Sequence, residues 1–445
     1  MPPSRKQRWL DRLGLHRPEL RAWAMYDWAN SAFWATVIQI FPFYYVNVVH
    51  EGQPAALANT RYATATALAM VVIAALSPVL GAIADYAGIK KKMLAGFLVL
   101  GIPATAFMAF VYTGDWVLAT ALFMVANIGV AGTIVFYESL LPHIADEGEI
   151  DRVSTAGFAL GYLGSGLLMA FNLLTIQKPG WFGLPDAAAA MRLSFVTVAL
   201  WWLVFSLPLF RRVPEPPRSR RADEGRGENL VKIGFARLGE TFRELRGYRH
   251  AFLMLVAFLI YNDGINTIIR MAAPYAAEIG LPQGAAIGVL LLVQFVGVPC
   301  TFVWGAVAGR LGPKRSIFLT LGVYLLITLT AYYMTSILHF LLLAVLVGTV
   351  QGGSQALSRS LFASLIPRHR SAEFFAFYGV FEKFAGIIGP ALFAAVIAST
   401  GASRNAILAL NVFFVVGGVI LAFVNVEEGR RAAREAEARA GMHAA

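Results

Sequence analysis

Asp263 stands in an otherwise apolar run, with Asn262 beside it and Asn266 and Thr267 one turn on. Arg270 follows at i+7, on the same helical face and about 10 Å along the axis. An acid, amides and a base along one face suit a zwitterionic or strongly hydrogen-bonding solute. The competing reading is an internal ion pair with another helix. Asp27, Asn30 and Ser31 repeat the pattern D-x-x-N-[S/T]. Asp27 reads either as a gate or helix-start residue at a membrane boundary or as a substrate or proton site, and both readings stay open. Lys383, preceded by Glu382, sits inside another apolar run. Neighbours on a helix diverge by about 100°, so only one of them need face inward. A lysine there can hold a carboxylate or pair with Asp263. Glu138 and Arg359 lie nearer the ends of their runs and read as gate partners. Glu373 opens a helix, where a carboxylate suits the positive N-terminus.

Ionisable groups carry this weight only inside a bilayer, where they are costly and functional by default. The composition demands such a setting. Of 445 residues, 58% are hydrophobic and 14% charged, against about 45–50% and about 25% for soluble domains. A chain this poor in charge lacks the surface of a water-soluble enzyme. A membrane core about 30 Å thick needs roughly 20 apolar residues per helix. Twelve stretches qualify: 22–48, 62–84, 92–112, 116–140, 153–176, 190–210, 250–272, 284–308, 315–336, 338–365, 372–398 and 403–425.

The cations fix an orientation. With the N-terminus inside, thirty of the 37 Lys and Arg fall in inner tails and loops. Arg61, Lys178, Arg192 and Arg404 fall outside, and Arg270, Arg359 and Lys383 lie within spans. This bias predicts both termini in the cytoplasm and explains the net charge of +11 without nucleic acid. The inner loop 142–152 is atypically acidic, with Asp146, Glu147, Glu149 and Asp151. The expected organisation is an N-tail (1–21), a six-helix half (22–210), a cytoplasmic linker (211–249), a second half (250–426) and a C-tail (427–445). Within the linker, Val231, Phe235, Leu238, Phe242 and Leu245 share a helical face. They predict an amphipathic helix on the membrane surface or on the protein's own inner ends. The C-tail reads as a polar, solvated helix.

Absences narrow the chemistry. The single cysteine, Cys300, leaves no disulfide framework or cysteine-ligated metal cluster and reads as a small buried hydrophobe. None of the eight lysines follows a glycine, so no phosphate-binding G-K-[ST] loop is present and an autonomous ATP pump is disfavoured. The histidines fall at span ends, loops or tails. H-E-x-x-H and G-x-S-x-G are missing. No enzyme activity, cofactor or metal is expected.

The two halves share text. Gly81-Ala-Ile-Ala-Asp85-Tyr-Ala-Gly88-Ile-Lys90-Lys91 returns as Gly305-Ala-Val-Ala-Gly309-Arg-Leu-Gly312-Pro-Lys314-Arg315, offset by 224. Ser139-Leu-Leu-Pro142 returns as Ser364-Leu-Ile-Pro367, offset by 225. Parallel repeats of this kind build secondary transporters with a midplane site between the halves. In the first motif Gly81 and Gly88 permit close approach and a sharp turn. Asp85 can cap a neighbouring helix or pair with a cation. Such a contact would latch one face. The second copy has Gly309 in place of Asp85 and should not form the same latch. Pro78, Pro103, Pro299, Pro390, Gly386 and Gly389 are candidate hinges. Trp28, Phe33, Trp34, Tyr137 and Tyr261 read as packing residues first and cavity residues second.

Twelve spans in two halves with G-x-x-x-D-x-x-G-x-K-K between spans two and three resemble the major facilitator superfamily. Further segments narrow the likeness: Tyr26-Asp-Trp-Ala-Asn-Ser-Ala-Phe33, Gly161-Tyr-Leu-Gly164, Tyr261-Asn-Asp-Gly264, Gln351-Gly-Gly-Ser-Gln-Ala-Leu-Ser-Arg-Ser360 and Ser371-Ala-Glu-Phe-Phe375. Together they resemble the vacuole-effluxer-like branch, which contains fungal autophagy-related amino-acid effluxers. The resemblance implies a transporter of that fold in the cytoplasmic membrane, and more loosely amino-acid efflux. It favours Lys383 over Glu382 and adds Gln351 and Gln355 to the candidate substrate residues. The expected set is Asp263, Asn262, Asn266, Arg270, Lys383, Asp27, Asn30, Gln351 and Gln355 for substrate or protons. Gly81, Asp85, Gly88, Lys90, Lys91, Glu138, Arg359 and Glu373 form the gates. The expected partners are a small-molecule substrate, protons (sodium as the alternative ion) and membrane lipids. Rival readings are an organic anion or sugar carrier of the same fold, and a non-transporting membrane sensor or scaffold.

Overall fold

The computed structural model describes residues 10–218, 247–278, 283–384, 388–400 and 403–442. The first half comprises α1 (Pro18–Val49), α2 (Ala55–Ala87), α3 (Lys90–Phe107), α4 (Trp116–Ile144), α5 (Ile150–Gln177) and α6 (Ala187–Arg212). The second comprises α7 (Arg249–Glu278), α8 (Gln283–Leu311), α9 (Pro313–Ala331), α10 (Ile337–Ser364), α11 (Ser371–Phe384), α12 (Ile388–Thr400), α13 (Ser403–Ala409) and α14 (Asn411–Ala422). A last helix, α15, runs Val426–Met442. Among the described residues eleven helices are long and apolar enough to cross a membrane, and Ile388–Thr400 is a shorter apolar helix. Of the stretch expected at 372–398, α11 and α12 cover the described parts, and residues 385–387 lie outside the described residues. The amphipathic helix expected at 231–245 lies outside the described residues.

Local sequence explains the boundaries. Gly88 ends α2 in the left-handed conformation, φ 63°, which glycine adopts without strain. Asp186 opens α6 by accepting a hydrogen bond from the Ala189 N–H at 2.7 Å. α1 is not uniform: Phe33–Val37 and Tyr45–Val49 form π turns around a segment containing Pro42. A proline cannot continue the ladder, and wide turns absorb the missing bond.

Helices in lipid gain little from hydrophobic burial against one another, so close approach through small residues holds them. The halves meet along α2–α11 and along α5–α8 and α5–α10. At the first seam a Cβ on Gly81 would lie 2.6 Å from the Ala372 carbonyl oxygen. At the second, the Gly305 backbone rests on Thr155, and Gly352 on Thr301 and Tyr162. Glycine is obligatory at these points because of a close approach.

Segments adjoining both termini gather at the end that carries the α2–α3, α4–α5 and α10–α11 turns, called here the basic end. The acidic loop 145–149 receives them. Glu149 pairs with Arg17 and, at 3.3 Å, with His16. Glu147 meets Arg434 of α15 at 3.6 Å, and Asp146 meets Arg368 at 4.0 Å. α15 thus departs from the solvated helix expected of the C-tail. Gly429 and Ala433 are buried, with Gly429 against Leu365 and His250. Glu437 accepts from the Arg368 N–H at 2.7 Å. Two small residues one turn apart make a narrow docking stripe that a polar composition conceals.

Candidate functional site

Charged side chains in the spans join the halves in two tiers near the basic end. The outer tier sits where α2 ends and α3 and α11 begin. Lys90, 1% exposed, directs its ammonium at three acceptors: Asp85 Oδ1 at 2.7 Å, Ser371 Oγ at 2.6 Å and His143 Nε2 at 2.9 Å. The other Asp85 oxygen accepts from the Glu373 N–H at 2.8 Å. Asp85 therefore pairs with a cation and caps the first turn of α11, where the helix dipole favours a carboxylate. Ser371 Oγ donates onward to the Ser139 carbonyl at 2.8 Å. Glu373 turns back to Arg370, at 2.6 Å.

The inner tier lies one to two turns deeper. Arg359 of α10 reaches across to α1: both of its terminal nitrogens stand 3.2 Å from Asp27 Oδ2. Its Nε donates to Ser154 Oγ and Nη2 to the Ser154 carbonyl, each at 2.9 Å. Glu138 Oε1 lies 3.9 Å from Nη1. The guanidinium faces the rings of Phe158 at 4.3 Å and Trp23 at 4.8 Å. Only a planar, five-donor cation can meet a carboxylate, a hydroxyl, a carbonyl and aromatic faces together. Of the two readings of Asp27, this geometry places it at the inter-half contact.

The glycine motifs hold this tier. Cβ atoms on Gly157, Gly161 and Gly164 of α5 would strike Asp27, Ser31 and Trp28 of α1 respectively. The segments 26–33 and 161–164, far apart in sequence, are two sides of one helix contact. Likewise Tyr261 of α7 exchanges a 2.5 Å hydrogen bond with Ser358 of α10, joining two more of the sequence motifs.

Asp263 is deeper still. Its Oδ2 accepts from the Gly389 N–H of α12 at 3.0 Å. A Cβ on Gly389 would collide with Thr267 Oγ1, so α7 meets α12 through glycine. Asn262 and Asn30 are each 2% exposed, and among the described residues Asn262 Oδ1 and Asn30 Nδ2 have no hydrogen-bond partner. Gln355 accepts a long bond, 3.4 Å, from Tyr162. Gln351 borders a cavity of about 110 Å³ inside the second half, among Thr328, Ile268, Val293, Phe340 and Phe393. That near-apolar space suits no charged solute. Asn266 lies on α7 near Asp263. The side chains of Arg270 and Lys383 lie outside what the structure describes.

Lys91 does not join the tiers. It donates to the carbonyls of Phe210, at 3.0 Å, and Val213, at 2.5 Å, closing the end of α6 within its own half. Its N–H binds Glu215 at 3.0 Å, while burial pushes the Glu215 carboxyl up from its ordinary value. Lys314 does the same in the second half, donating to Ala422 at 2.8 Å and Val424 at 2.7 Å. By contact Lys314 thus answers Lys91, one place away from the textual match with Lys90. Gly309, in the place of Asp85, faces the Arg152 guanidinium.

Sequence reasoning passed over His143, Ser154, Ser371 and the Asp151–Ser360 hydrogen bond of 2.5 Å. Hydroxyls at helix ends are too common to stand out. His143 follows Pro142 at a span end, where a histidine is unremarkable in text.

Two helical halves joined by buried polar contacts near one end define a multi-pass membrane protein of the major facilitator fold. Solved structures of this fold align over nearly the whole chain. A proton:xylose symporter, XylE, has a TM-score of 0.68 at 14% identity, covering 94% of this chain and 96% of its own. A bacterial homologue of the iron transporter ferroportin, in an outward-facing state, has a TM-score of 0.64 at 16% identity, covering 91% and 98%. At such identities the likeness shows the fold alone.

The chain belongs to the vacuole effluxer Atg22-like family, whose pattern matches residues 59–434. It is 38% identical to the MFS-type transporter YxiO of Bacillus subtilis (strain 168), over 91% of this chain and 94% of that protein. It is 26% identical to autophagy-related protein 22-1 of Aspergillus niger, over 63% of this chain and 48% of that protein. The match spans about half the length of that fungal relative.

Proposed function

We propose that this protein is a secondary active transporter of the cytoplasmic membrane that exports a small zwitterionic metabolite, an amino acid first, by alternating access coupled to protons. The observation that carries the reading is the two-tier closure: the charged groups of the spans pair across the halves near one end. The Lys and Arg bias makes that end cytoplasmic. In this arrangement Asp27, Asp85, Lys90, Glu138, Glu373 and Arg359 close the inner gate, and Gly81 and Gly88 shape its turn.

Asp263 is the proposed proton or ammonium site. Its carboxylate holds α12 through the Gly389 N–H. A proton or a substrate ammonium competing for that oxygen weakens the hold, which links occupancy to the position of α12. Arg270 or Lys383 would take the substrate carboxylate. The buried, unpartnered amide atoms of Asn30 and Asn262 offer one donor and one acceptor. Burying such atoms without partners costs about 1–3 kcal/mol each, which a hydrogen-bonding solute recovers. The family description, a vacuole effluxer, supports efflux.

The test is proteoliposome flux driven by an imposed pH gradient, comparing wild type with Asp263→Asn. The variant is expected to insert and fold but to lose gradient-driven flux. Undiminished proton-driven flux in Asp263→Asn would remove Asp263 from the coupling.

A further inference from the structure

We propose that His143 is a proton-binding residue of the inner gate, and that protonating it from the cytoplasmic side releases the closed state. The structural fact is an acceptor role that a protonated ring cannot fill. Lys90 has three N–H donors, and its ammonium meets Asp85, Ser371 and His143. A lysine ammonium has no acceptor capacity, so His143 Nε2 must present its lone pair to Lys90 at 2.9 Å. Ser371 Oγ also lies 3.1 Å from Nε2, but its proton is committed to the Ser139 carbonyl, so it does not donate to the ring. A proton on Nε2 leaves two donors, both cationic, facing each other at hydrogen-bond distance. Protonation of this atom therefore opposes closure, and acid favours the open gate.

The surroundings fit that role. His143 closes the last turn of α4, while Lys90 begins α3 and Ser371 begins α11. One ring thus joins two helices of the first half to one of the second. It is partly exposed, within reach of water, whereas Asp85, Lys90 and Glu373 are each 1% exposed. From α2 the facing charge is Asp85, from α3 Lys90, and from α11 Glu373. From the turn 368–370 come Arg368, His369 and Arg370. The cations outnumber the anions around the ring, so an added positive charge meets net repulsion. The two copies of the repeat are unequal here: the second has Gly309 where the first has Asp85. The device belongs to one seam.

The inference rests on the alternating-access reading, and the two can fail separately. Spin labels at Lys92→Cys and Arg315→Cys, in a Cys300→Ser background, report the spacing of the halves at the basic end. Both sites are exposed, at the starts of α3 and α9. Double electron–electron resonance in lipid nanodiscs is read at pH 8 and pH 5.5. The expected result is a rise in the long-distance population on acidification, approaching about tenfold per pH unit for one proton exchanged. In His143→Gln, which keeps a neutral acceptor, the short distance persists at both pH values. His143→Asn serves as the second neutral variant, and a wild-type short distance at pH 8 shows that each is folded. An equal acid response in the neutral variants, or none in the His143 background, overturns the inference. Asp85→Asn, which removes the anion of the latch, is the reference for opening. If it lengthens the distance while acid does not, alternation at this seam stands and the His143 proposal falls. If neither does, both fall.

Discussion

One guanidinium carries the inner tier. Arg359 binds Asp27 and Ser154, with Glu138 3.9 Å away, and removing either member of the Arg359–Asp27 pair leaves a buried charge short of its main partner, a cost of up to about 3–5 kcal/mol in buried pairs. Arg359→Gln and Asp27→Asn are each expected to lower stability in detergent on that scale. The double variant is expected to be less damaged than the sum of the two, which a double-mutant cycle measured by thermal unfolding resolves. Additive losses would show that the residues do not act as a pair. Some of this was legible in the sequence: Asp85 announces itself by type and by its place in a glycine-framed turn. The division of labour between Lys90 and Lys91 was not. Adjacent helical residues diverge by about 100°, so one enters the Asp85–Ser371–His143 cluster and the other caps α6, and text alone cannot say which. His143 was illegible because its role comes from a lysine 53 residues away.

At the scale of elements, the apolar runs located the spans because hydrocarbon demands length and composition together. Glycine is harder to read: Gly389 could serve as a hinge or as plain helix packing, and its contacts with Asp263 and Thr267 show a close helix approach. α15 was misread because charge dominates its composition, whereas docking needs only Gly429 and Ala433. Its exposed pairs with the acidic loop contribute little singly, about 0–1 kcal/mol. Their effect is geometric, since α15 touches Glu147 of the first half and Leu365 and Arg368 of the second. Ending the chain after Asn425 is expected to leave the protein folded and inserted while favouring opening at the basic end. Alkylation of a cysteine placed at Ser154, in the Cys300→Ser background, should be faster in the shortened protein. An unchanged rate would reduce α15 to a passive tail.

At the scale of the whole molecule, duplication explains both the symmetry and its defects. The α2–α11 and α5–α8 seams are matched surfaces, and Lys91 and Lys314 close equivalent helix ends. The repeat in the text revealed this because both copies keep their glycines. The unequal site, Asp85 against Gly309, gives the α2–α11 seam a buried carboxylate paired with Lys90 and sets an arginine, Arg152, at the other. A molecule built this way can exchange closure between ends while its halves stay intact. The central claim is that the exchange carries an amino acid. It is tested most directly by counterflow: purified protein in liposomes loaded with unlabelled amino acids, diluted into trace labelled ones. The account predicts transient accumulation of at least one labelled amino acid, abolished by Arg359→Gln. Folded, correctly inserted wild-type protein that exchanges none of the standard amino acids would contradict it.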